Sequence, residues 1–472
     1  MGNRTEATRP VMVGSWAWAL FVHDVGWLAT GGEVARDLAE GRPVGADEVG
    51  MVWRLWAGIV AALSIGGVVH AETATPLAAW VELVDGGAAE VRAVSADATC
   101  PSAVIDGQAQ PMQLRAPASP GDFPQAVCTM ALPKGAASIS VGGHILPPVP
   151  ARIDRIVVMG DTGCRLKGVT VQDCNDARAW PFALVMKRAA AEKPDLVIHV
   201  GDYYYREVPC PPMYSGCAGS PHGDLWPSWQ MDLFDPARPL FDAAPWVFAR
   251  GNHEDCSRGW KGWTRMLEAG PLAATCPEAE PPFSVPIGGV TLHVFDSAVA
   301  DDRAQRKAQV DIVASQLASL PHHAAAPTDW IVTHRPFWGE APVFTLGPLG
   351  MFSVGLNRTE QAAARGQDLS AIGLILSGHV HHFASFDFGK DRPAQLVVGT
   401  GGDVGEPFDP ARLRAATVGI DGMDAQSLTF RQYGYFLMER GAKGWTGTFK
   451  DIDGKPVARC TLVGRRLVCG RA

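Results

Sequence analysis

Five short apolar runs, each ending on residues that can bind a metal or move a proton, constrain this chain more than any other feature. They are Ile156–Met159 before Gly160-Asp161-Thr162-Gly163, Leu196–Val200 before Gly201-Asp202, and Trp246–Ala249 before Arg250-Gly251-Asn252-His253-Glu254. Two more follow: Trp330–Thr333 before His334, and Gly373–Ser377 before Gly378-His379-Val380-His381. A buried strand that delivers a polar residue at its carboxyl end is how open α/β sheets build active sites. Carboxylate, amide and imidazole groups gathered at one sheet edge read as a two-metal hydrolytic centre.

Around these runs the pattern alternates between strand and helix from Arg152 onward. A helix is expected over Ala179–Glu192, stopping before Pro194. Another is expected in Asp302–Leu320, where Val310, Val313, Leu317 and Leu320 share a face and Pro321 ends it. The fold class this implies is α/β: a layered β-sandwich flanked by helices. The tail, from Gly434 to Cys469, reads as strands joined by turns at Asp453-Gly454 and Gly464. Residues 72–150 carry only short β-rich runs between Gly, Pro, Asp and Ser clusters, so a small N-terminal all-β domain is expected. Pro147-Pro148-Val149-Pro150 reads as a stiff linker to a second domain over 151–472.

Composition excludes several classes. The chain has 472 residues, 47% hydrophobic and 19% charged, as a globular protein should. Its 52 glycines and 36 prolines fall short of the roughly 25–30% that marks low-complexity chains. A net charge of −8, with no Lys/Arg-rich run, argues against a nucleic-acid partner.

Residues 51–71 have the three parts of a secretory signal: Arg54 near Met51, an apolar run from Leu55 to Val69, and Val69-His70-Ala71 at the cut. That run is too short and Gly-rich for a comfortable membrane span, so no stable span is expected after cleavage. Residues 1–50 are then expected to be a mis-assigned N-terminal extension. All ten cysteines lie beyond residue 71, which fits disulfides in an exported protein, periplasmic or extracellular. Sequence does not fix their connectivity. Pairing by proximity gives Cys100–Cys128, Cys164–Cys174, Cys210–Cys217, Cys256–Cys276 and Cys460–Cys469.

The five motifs, in this order over roughly residues 152–440, resemble the calcineurin-like metallophosphoesterases. Many relatives carry Asp-x-His in the first motif, where this chain has Gly163, and the second motif here reads Gly-Asp-x-x-Tyr, ending on Tyr205. That exchange is most like the purple acid phosphatase branch. The resemblance implies Asp161, Tyr205 and His381 on a first metal, Asn252, His334 and His379 on a second, and Asp202 bridging. It implies Fe(III) at the first site and Zn, Mn or Fe(II) at the second. It also implies that His253 contacts phosphate and protonates the leaving group. Glu254 either orients His253 or caps a helix, and is also a candidate for meeting substrate. Arg165, Arg206 and Arg258 follow ligands closely enough to reach a substrate phosphate or to sit as rim residues.

Other histidines have plainer readings. His382 is expected to point away from His381 and to pack, or to bond behind a ligand, and not to bind metal; His199 and His293 lie inside apolar runs as core residues. His222, His322 and His323 read as loop residues. The chain departs from the plant and mammalian purple phosphatases in two places. Arg335-Pro336-Phe337-Trp338 follows His334 with no further histidine until His379, and His382-Phe383 follows His381.

The expected function is that of an exported binuclear-metal phosphoesterase. It would hydrolyse small phosphomonoesters by in-line attack of a metal-bound hydroxide. A phosphodiesterase or phospholipid-cleaving relative is the alternative on the same scaffold. A non-catalytic exported binding protein that keeps the fold is the alternative from another class.

Overall fold

The computed structural model describes residues 75–472, apart from 169, 323, 344–350, 354–355 and 406–413. The signal-peptide and extension readings over residues 1–71, and the loop reading of His323, lie outside the described residues.

Each apolar run forms a buried strand because it has no polar face to show to water. Arg155–Met159, Leu196–His199 and Trp246–Phe248 pair in parallel. Thr291–Val294, Asp329–Val332, Ile372–Ser377 and Ala394–Val398 make a second parallel group. The two groups belong to sheets of eleven and eight strands among the described residues. Alternate residues turn inward and interdigitate: Ile156, Val158, Ile198 and Val247 from one sheet meet Leu292, Val332, Leu374 and Leu376 from the other. The opposite faces are covered by helices. Phe182–Ala191 and Asp235–Phe241 pack on Val157, Val197 and Trp246. Lys307–Leu317 and Arg358–Ala364 pack on Ile331, Ile375 and Val397. This is the layered sandwich expected. Both expected helices form, shorter at their ends, and Val313, Leu317 and Leu320 are buried with Val310 against them.

The N-terminal region is all-β, but it does not stand apart. Ala78–Leu83 pairs in parallel with Trp246–Phe248, and Ala89–Ser95, Ala126–Ala131 and Gln113–Ala116 extend the same sheet. Only Ser102–Ile105, Gln108–Pro111, Ile139–Val141 and His144–Leu146 form a separate antiparallel sheet. Side chains tie the join. Arg115 donates to the carbonyls of Thr264, Arg265, Glu268 and Gly270. Buried Arg92 pairs with Glu82 and donates to the Met266 carbonyl. A stiff linker is therefore the wrong picture for Pro147–Pro150; Val149 packs against the core. At the other end, Gly434–Gly441 pairs with Arg155–Met159 and carries the C-terminal strands onto the same sheet.

All ten cysteines are paired, in the five bridges that proximity suggests. Bridges Cys164–Cys174, Cys210–Cys217 and Cys256–Cys276 staple the loops beyond the strand ends.

Candidate metal centre

The strands stop at one edge and their first loop residues turn sharply. Asp161, Asp202 and His379 all have positive φ, at 57°, 58° and 70°. L-residues rarely hold that conformation unless the surroundings enforce it, and such residues cluster at functional sites. Here main-chain bonds enforce it: Asp161 N–H donates to Gly201 O, and Thr162 N–H to Asp202 O. The aspartates are thus turned in toward each other.

Two groups of side chains result. Tyr205 Oη lies 3.1 Å from Asp161 Oδ1, 2.9 Å from Asp202 Oδ2 and 3.1 Å from His381 Nε2. On the other side, His334 Nε2 lies 3.1 Å from Asp202 Oδ2 and 3.1 Å from Asn252 Oδ1. Ligand atoms of Asp202, His334 and His379 lie within 4.8 Å of one another. Asp202 Oδ2 is the corner shared by both groups. All seven residues expected as ligands are therefore brought to one edge.

Tyr205 is selected from its neighbours by packing. Tyr203 stacks on His199 and donates to the Ala249 carbonyl, and Tyr204 stacks on Trp229. Asp232, buried, accepts from the backbone N–H of Cys164, Tyr205 and Arg206 and pins the loop. Gly163 leaves room for it. A Cβ there would come within 2.7 Å of Tyr203 O and 2.9 Å of Asp232 Oδ2. A histidine at 163 and this Tyr205 loop cannot coexist without rearrangement.

The donor set fits cations. Two buried carboxylates, a buried phenol, an amide oxygen and three imidazoles suit borderline and trivalent ions. Burial alone would raise Asp202 and Asp161; His334 and His253 hold Asp202 well below the usual range, and His381 and His334 hold Asp161 below it. Burial, then the Asp202 and Asp161 charges, push the Tyr205 phenol well above its ordinary value. Only a strong cation would make that phenol an anion.

His253 lies against this centre. Its ring centroid is 3.9 Å from that of Tyr205, and its main-chain N–H donates to Asp202 Oδ1 at 2.8 Å. Nδ1 is 2.7 Å from Glu207 Oε1, while Nε2 stands 3.9 Å from Asp202 Oδ2. Glu207 thus orients this imidazole. Glu254 does not, and it is neither a cap alone nor a substrate group. It is fully buried and accepts the N–H groups of Gly251, Asp202, Tyr203 and Tyr204, holding two motif loops together.

Two arginines also need correction. Arg206 is fully buried, paired with Asp232 at 2.7 Å and bonded to Ser220, so it cannot reach a substrate. Arg165 is committed to Asp403, and its guanidinium lies 5.0 Å over the Tyr205 ring. Arg258 keeps the rim position, between Asp255 and Glu207. The histidines set aside behave as read: His199 contacts Thr162 Oγ1 in the core, His293 contacts Ser284, and His382 is buried.

Sequence reasoning missed Glu207, Asp302, Arg335 and Asp403. Asp403 had a signal: Leu396–Val398 before Gly399-Thr400-Gly401-Gly402-Asp403 repeats the pattern of an apolar run with a polar end. Asp403 Oδ2 lies 3.3 Å from His381 Nδ1.

Comparison with known proteins agrees with this geometry. The calcineurin-like phosphoesterase family model matches residues 154–383. Residues 154–383 belong to that family. The phosphoesterase core also resembles solved structures. One is a purple acid phosphatase, PPD1, from yellow lupin (Lupinus luteus) seeds, at 15% identity and TM-score 0.52, covering 81% of this chain and 73% of that one. Another is PhoD, at 12% identity and TM-score 0.53, covering 84% of this chain and 93% of that one. At such identity the likeness is one of fold. No curated protein sequence matches the chain.

Proposed function

We propose that this phosphoesterase is an exported two-metal enzyme that hydrolyses small phosphomonoesters, nearest in its ligand set to the purple acid phosphatases. The observation that carries this reading is the Tyr205 hydroxyl, within 3.1 Å of Asp161, Asp202 and His381 in the space that Gly163 leaves open. Asp161, Tyr205 and His381 would hold the first ion, Asn252, His334 and His379 the second, and Asp202 both. Fe(III) suits the first site because a phenolate is a strong anionic donor; Zn, Mn or Fe(II) suits the second.

Bound cations would supply charge neutralisation for the phosphoryl oxygens and lower the pKa of an attacking water. The chain's own part is orientation and proton transfer. As water oxygen bonds to phosphorus and the ester P–O bond breaks, His253 gives its proton to the departing alcohol oxygen. Glu207 holds that imidazole from behind. Arg258, at the rim, would turn from Asp255 and Glu207 to meet the phosphate.

A phosphodiester substrate is the second reading, and a specific feature favours it. Cavities open on both sides of the centre. One of about 510 Å³ is lined by His381, Asp403 and Tyr433. The other, about 610 Å³, is lined by Asp255, Glu278, Asp302 and Arg335. Elemental analysis of purified protein, alongside turnover of a panel of monoesters and diesters, decides between the readings.

Tyr205→Phe tests the branch. It keeps the ring against His253 and deletes the donor oxygen. A purple or pink charge-transfer colour is expected in the wild type and should bleach in Tyr205→Phe, while Tyr203→Phe and Tyr204→Phe keep it. A colourless wild type with two divalent ions, and full activity in Tyr205→Phe, would refute the purple-phosphatase reading and leave the phosphoesterase reading standing.

Export is supported by five disulfides, which persist in oxidising compartments. Among the described residues no helix is long and apolar enough to cross a membrane. Native protein should begin at or near Glu72. N-terminal sequencing that finds residues 1–50 still attached would overturn the signal-peptide reading.

A further inference from the structure

The three imidazoles of the centre are not held alike. His334 Nδ1 faces the Val200 carbonyl at 2.8 Å, and His381 Nδ1 faces the Val404 carbonyl at 2.9 Å. A carbonyl only accepts, so each Nδ1 carries the proton and each Nε2 is left to bind. Asp403 Oδ2, 3.3 Å from the same His381 Nδ1, also only accepts and so asks for the same tautomer. Among the described residues, His379 has no main-chain partner of this kind. Its Nε2 lies 3.1 Å from both oxygens of Asp302 and 2.8 Å from Arg335 Nη1. These neighbours make opposite demands. Asp302 only accepts, and so wants a proton on Nε2, which frees Nδ1 to bind a cation. Arg335 only donates, and so wants a lone pair on Nε2, which puts the proton on Nδ1 and blocks ligation.

The geometry settles the contest for Asp302. Both its oxygens reach Nε2, and it also accepts from Arg335 Nη1, so that nitrogen has an acceptor without the imidazole. Arg335 is itself held in the chain beside His334, and its main-chain N–H donates to Ser297 Oγ at 2.9 Å. The pair is also placed differently from the carbonyls behind the other two rings. Asp302 is one-quarter exposed and lines the 610 Å³ cavity with Arg335.

We propose that Asp302, held by Arg335, is a positioning residue that fixes His379 in its ligating tautomer and thereby sets the affinity of the second metal site. The proposal rests on the metal-centre reading above.

Asp302→Asn is the test, because it keeps shape but can donate as well as accept, so neither tautomer is enforced. Second-ion affinity, read by competition with a chromophoric chelator, should weaken about 10–100-fold, the usual cost of losing a partner behind a ligand. The first ion should stay bound, and the melting temperature of metal-free protein should match that of the metal-free wild type. Asp302→Glu, which restores an acceptor-only group, should recover part of the affinity. Unchanged second-ion affinity in Asp302→Asn would overturn the proposal. So would parallel loss of both ions with a lower metal-free melting temperature, which would mark Asp302 as structural. A wild type that binds no cation would overturn the metal centre and this proposal together. A wild type that binds two ions but cleaves no phosphoester would defeat only the proposed function, and the affinities would still decide on Asp302.

Discussion

Asp202→Ala should lose both metal ions and all measurable turnover. Asp202 Oδ2 touches a ligand side chain of each group, 2.9 Å from Tyr205 Oη and 3.1 Å from His334 Nε2. Two cations about 3.5–4 Å apart repel each other, and a shared carboxylate offsets that repulsion while fixing their spacing. Without it, Asp161, Tyr205 and His381 remain on one side and Asn252, His334 and His379 on the other, with a single carboxylate among the six. Its Oδ1 also accepts the main-chain N–H of His253, so the loop that carries the proposed acid loses an anchor as well. Elemental analysis after gel filtration, with turnover measured on the same sample, checks this. Retention of both ions at wild-type stoichiometry would show that Asp202 does not bridge.

His253→Ala should separate chemistry from metal binding. Turnover should fall about 10²–10⁴-fold, the usual worth of a positioned acid. Both ions should remain, because Nε2 stands 3.9 Å from Asp202 Oδ2 and belongs to neither group. Burial pushes His253 below the ordinary histidine value, against the opposing pull of Asp202 and Glu207. The acid form is therefore lost at lower pH than for a free imidazole, and wild-type turnover should decline as pH rises toward neutrality. That limb should be absent in His253→Ala. Metal loss equal to that of Asp202→Ala would show that His253 is a ligand and not the acid.

Much of the centre was legible because buried parallel strands leave an uninterrupted apolar trace, and their ends fall where the trace stops. All five runs are strands, and all seven expected ligands meet at one edge. What stayed hidden depends on contacts far apart in the chain. Glu254 sits next to His253 in sequence, yet its carboxylate turns back to the Asp202–Tyr204 main chain, and Glu207 orients the imidazole across 46 residues of chain. Arg206 follows Tyr205 and so points the other way, into Asp232. Asp302 reaches His379 from a loop that local pattern marks only as the approach to a helix. The N-terminal strands read correctly as strands, but edge pairing is decided by hydrogen bonds that leave no local signature. Their membership of the catalytic sheet was therefore invisible.

That shared sheet bears on where the gene could be cut. The family match spans residues 154–383, yet a protein trimmed to it would lose partners on both sides. Trp246–Phe248, buried along its whole length, would lose Ala78–Leu83 and present a bare apolar edge. Arg155–Met159 would lose Gly434–Gly441 in the same way. Naked edges of this kind recruit other chains. A shortened version made for crystallisation, fusion or display should therefore gather into aggregates, and boundaries for such work belong at the ends of the sheet and not at the ends of the homology.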